Sequence, residues 1–67
     1  MPPASDLDVL RVAALVIKDH GAGAIDYATG REAALLAKGD VDGAVMWRRF
    51  VRAIELLQAA ELGGGKH

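Results

Sequence analysis

A chain of 67 residues without cysteine has room for one domain and excludes disulfides and thiolate metal sites. Eight basic against nine acidic side chains, a net charge of −1, lack the positive excess of a dedicated nucleic-acid binder. Hydrophobic residues make up 52% of the chain, yet it has one Trp, one Tyr and one Phe, so much of the apolar share is alanine, which favours helix but buries little area. With so small a core and no disulfide, stability has to come from close helix packing or from a second subunit.

The first four residues, with two prolines, read as a disordered lead. The start lacks the basic and apolar stretches of a signal peptide. The longest apolar run, residues 12–17, is six residues, against the roughly 20 needed to span a bilayer. The expectation is a cytoplasmic protein without a membrane segment.

Ser5 is a good N-cap, and Asp6 and Asp8 place negative charge where a helix dipole favours it, so the first helix is predicted over 6–20. Gly21 supplies the left-handed residue past its end, with Lys18 and His20 in the last turn. At ~100° per residue, Leu7, Val9, Leu10, Val12, Ala13, Ala14, Val16 and Ile17 cover an arc of about 220°. One packing partner does not need so wide a face. This helix is expected to lie between two neighbours.

A second helix is predicted over 23–38, stopped by Gly39, with Ala24, Ile25, Ala28, Leu35 and Leu36 inward. Thr29-Gly30-Arg31-Glu32 matches a capping box, which offers an alternative start after a separate turn. The continuous helix is preferred because it keeps Ile25 and Ala28 on the apolar face.

The third helix, over 41–61, is capped by Asp40 or Asp42 and carries Trp47, Phe50, Val51, Ile54 and Leu57 along one stripe. The short Gly39-Asp40 connection makes the last two helices an antiparallel hairpin. At ~1.5 Å per residue the third helix spans about 30 Å and the first about 21 Å. Leu56, Leu57 and Ala60 then overhang and call for cover. Residues 62–67 read as a flexible tail; Gly63-Gly64-Gly65-Lys66 lacks the earlier Gly, the following Ser or Thr and the helix of a phosphate loop.

Few polar residues stand out. His20 falls near the centre of the first helix's apolar arc, where it reads as a buried C-terminal cap rather than a metal ligand. Glu32 falls on the inner face of the second helix, where a lone carboxylate is costly. Its expected relief is the Thr29 backbone, His20 or the Trp47 indole N–H, with a functional pocket as the remaining reading. Asp26 and Tyr27 read as helix N-terminal charge and a surface phenol. Arg48 and Arg52 share a face at i, i+4, with Glu55 placed to pair with Arg52, and Arg49 lies about 100° away. This is read as a solvated face, and alternatively as the reading face of a small DNA-binding regulator. Trp47 is the best anchor for core or partner.

His20-Gly21, Ala24, Ala28, Arg31, Leu35, Gly39-Asp40, Gly43, Trp47, Ala53-Ile54 and Leu57 together resemble a family of short, uncharacterised bacterial all-helical proteins. The Gly-Asp turn followed by Trp47 is the distinctive part. The resemblance covers about residues 7–58 and implies a helical fold, with no activity.

The residues thus predict an all-α, three-helix up-down-up bundle completed by homodimerisation. Its expected role is a non-catalytic protein–protein interaction module, without cofactor or metal, that binds itself or a larger protein through Leu7, Leu10, Trp47, Leu56 and Leu57.

Overall fold

Ser5 opens the first helix as its composition requires: the side-chain Oγ accepts the Asp8 amide at 3.2 Å. In the computed structural model, which describes residues 5–64 and the side chains of residues 5–60, α1 spans Asp6–His20. Gly21 ends it with a φ of 54°, a left-handed value open to glycine, and its N–H bonds the Ile17 carbonyl. A 3₁₀ turn, Gly21–Gly23, leads straight into α2, Ala24–Ala37.

This corrects the expected layout. The chain forms two uninterrupted helical runs, 6–37 and 41–64, and the first is divided only by the tight turn at Gly21. A 3₁₀ turn supplies i→i+3 partners for carbonyls that a loop would leave to water. Apart from Ser5 and Asp40, the described residues are all helical or turn, with no strand.

α2 passes through Gly30 without a break. Thr29 is spent elsewhere: its Oγ1 donates to the Ile25 carbonyl at 2.7 Å, so no capping box forms. At the far end, Gly39 takes a φ of 82°, and the Asp40 amide returns to the Leu35 carbonyl at 2.9 Å. α3 follows over Val41–Gly64. Its cap is Asp40 rather than Asp42, because Asp40 Oδ1 accepts the Gly43 amide at 2.9 Å. A Cβ at Gly43 would meet Asp40 Oδ2 at 2.7 Å, so the cap sits tightly over that glycine.

α3 runs three residues past its expected end at 61, because glycine weakens a helix without forbidding right-handed backbone. Of the proposed tail, 62–64 are therefore helical backbone, while 65–67, like the proposed lead 1–4, lie outside the described residues.

α3 is the spine on which both other helices pack. The core draws Val9, Ala13 and Val16 from α1, Ala24 and Ala28 from α2, and Phe50, Ala53 and Ile54 from α3. Half of these are alanines, and Ile54 is the only large side chain fully shut from solvent among the described residues. Asp6 meets Arg49 and Gly21 meets Gln58, so α1 and α3 run in the same sense, with α2 opposed. Among the described residues no helix is long and apolar enough to cross a membrane.

Candidate functional site

The apolar arc of α1 is only partly covered. Val9, Ala13 and Val16 are buried and Val12 and Ile17 half-buried, while one flank stays open, with Leu7 56% and Leu10 37% exposed. On α3, Leu56 is 65% exposed. Leu10 and Leu56 face one groove of about 400 Å³ between the two helices, floored by Val9 and Ala53. Alanine at 53 makes that floor deep. Charge is confined to the edges: Asp6 on the α1 side, Arg49 and Arg52 on the α3 side. Asp6 Oδ1 lies 3.3 Å from Arg49 Nη2 and bridges the groove at one end.

The proposed contact residues therefore divide. Leu7, Leu10 and Leu56 form the open apolar strip beside and within the groove. Leu57 does not join them, because it lies ~100° round α3 from Leu56 and packs half-buried on the core. Trp47 is also elsewhere. It is half-buried in a chain of rings along α2 and α3, with Tyr27 at 5.9 Å and Phe50 at 5.1 Å, both edge-on. The Arg31 guanidinium lies 5.7 Å from the Trp47 ring centroid, a cation–π distance.

Both buried polar candidates need correction. His20 is exposed, because it ends α1 where the chain turns away, and its ring stacks on Tyr27 at 3.9 Å. Glu32 does sit inward, with its side chain 16% exposed, but its partner is Arg48, whose Nε lies 3.2 Å from Oε2. The pairing replaces the expected contacts to His20, Trp47 or the Thr29 backbone. Tyr27 is a stacked ring rather than an isolated surface phenol, and Asp26 is exposed. No group of three or more metal-binding side chains converges among the described residues.

The three arginines do not act as one face. Arg48 reaches back to α2, Arg49 bonds α1, and Arg52 lies along the groove without an ion pair among the described residues. Glu55 does not engage Arg52. A duplex-reading surface would need these cations turned together toward phosphate. Two of them instead neutralise carboxylates of their own chain.

No family model, curated protein or solved structure matches this chain.

One contact had no forerunner in the sequence pattern. Gln58 Nε2 donates to the Gly21 carbonyl at 3.2 Å and pins the α1–α2 turn to α3. A half-polar side chain on an amphipathic helix carries no signal for such a bond.

Proposed function

We propose that this chain is a non-catalytic protein–protein interaction module, an up-down-up helical unit whose core is completed by a partner in the α1–α3 groove. The observation that carries this reading is the strip of Leu7, Leu10 and Leu56, left open while the opposite faces of the same helices are buried. An apolar strip with a charged rim is the pattern of a docking surface, and a helix laid in it would make the contacts the three leucines lack. The neutralised arginines give a DNA-binding alternative little support.

The test is recovery by a tagged bait. The wild-type chain is expected to retain a partner, either a copy of itself or another protein, that a Leu10→Lys/Leu56→Lys bait loses. Equal recovery by both baits, or none by the wild type, would overturn the reading.

A further inference from the structure

We infer that the groove's occupant is a second copy of this chain, related to the first by a two-fold axis lying along the groove. The inference rests on the docking reading above and adds the partner and its orientation.

The two rims of the groove carry opposite charge: Asp6 belongs to α1, and Arg49 and Arg52 belong to α3. Face-to-face copies have two simple arrangements. An axis running across the groove sets α1 against the partner's α1 in the reversed direction, so the charged end of each copy falls on the far end of the other, where Leu10 and Leu56 rather than opposite charges line the groove. An axis running along it sets α1 against the partner's α3, and each acidic rim meets a basic one. Asp6 and Arg49 bond each other, so they stand at the same height, and Arg52 follows one turn on. Under the lengthwise axis the Asp6 of one copy thus comes level with the arginines of the other, and Arg52, which has no ion pair among the described residues, gains a counter-charge. Leu10 of each copy then packs beside Leu56 of the other.

The absence of native cysteine makes a clean test possible. Leu10→Cys and Leu56→Cys are prepared separately; both sites are solvent-exposed, and circular dichroism checks that each variant folds. Each is treated with a short bis-maleimide linker, alone and as an equal mixture. The expected result is a cross-linked pair in the mixture well above either variant alone. Arg52→Glu is expected to weaken self-association about tenfold, with loss of its salt dependence. Strong cross-linking of Leu10→Cys to itself would overturn the lengthwise axis. If no cross-link forms while the wild-type bait still holds a different protein through Leu10 and Leu56, the second-copy inference falls and the docking reading stands. If neither is seen, both fall.

Discussion

Ile54 and Leu56 lie two residues apart on α3 and point to opposite environments. Ile54 is fully buried among Val9, Ala13, Ala24, Ala28 and Phe50, whereas Leu56 is 65% exposed. Truncating Ile54 to alanine removes buried methylene and methyl groups from a core whose helices are already held close by alanines, so the void cannot collapse far. The expected cost is about 2–5 kcal/mol. A 67-residue domain holds only about 3–10 kcal/mol in all, so Ile54→Ala takes away a large share of its stability. In a domain of this size each ~1 kcal/mol moves the melting temperature by about 4–8 °C. Leu56→Ala, measured at low concentration, gives up little burial and should change stability by no more than about 0.5 kcal/mol. The assay is urea and thermal unfolding followed by far-ultraviolet circular dichroism. Equal losses for the two variants, or an Ile54→Ala loss below about 1 kcal/mol, would refute the assignment of inner and outer faces on α3.

Three further outcomes follow from local geometry. Asp40→Ala leaves the Gly43 amide without its acceptor and should cost about 1 kcal/mol in urea unfolding, with Asp42→Ala well below that. Gly39→Ala forces a side chain into a φ of 82° and should cost about 1–2 kcal/mol, whereas Gly30→Ala, inside α2, should be neutral or stabilising. A double-mutant cycle on Glu32 and Arg48 should give a coupling of only about 0.2–1 kcal/mol that shrinks in high salt, because the arginine side chain is 66% exposed. A coupling that survives molar salt unchanged would contradict the open geometry of that pair.

What the residues reveal about this fold depends on how local the cause is. Ser5, Gly21 and Gly39 act on backbone within a few positions, and the ends they predict for the first two helices are met within a residue or so. The choice between Asp40 and Asp42 is equally local, but two adjacent candidates need the geometry to separate them. The continuity of α2 through Gly30 follows from the apolar face of Ile25 and Ala28, which outweighs a capping-box match that depends only on spacing.

The site is less legible because its contacts join distant positions. Helical periodicity puts Glu32 inward and Arg48 outward, and both placements hold, yet periodicity does not register that a long arginine bends back 16 residues to the carboxylate. His20 is a failure of a different kind. An arc drawn through α1 treats its last residue like its middle, but neighbouring helices cover the middle, and the turn at Gly21 leaves the end bare. Leu56 and Leu57 show the same limit, since a predicted overhang marks both as uncovered while the rotation between them sends only Leu56 to solvent. The width of the α1 arc has one local counterpart: Leu7 and Leu10 on its flank stay exposed among the described residues.

The most direct test of the docking groove is sedimentation equilibrium of the wild-type chain and of Leu10→Lys/Leu56→Lys, from about 1 to about 500 μM. The wild-type mass should climb from 7.0 kDa toward twice that value, while the charged variant keeps the monomer mass and its helical spectrum. A wild-type chain that stays at 7.0 kDa throughout, and takes up no other protein, would contradict the account.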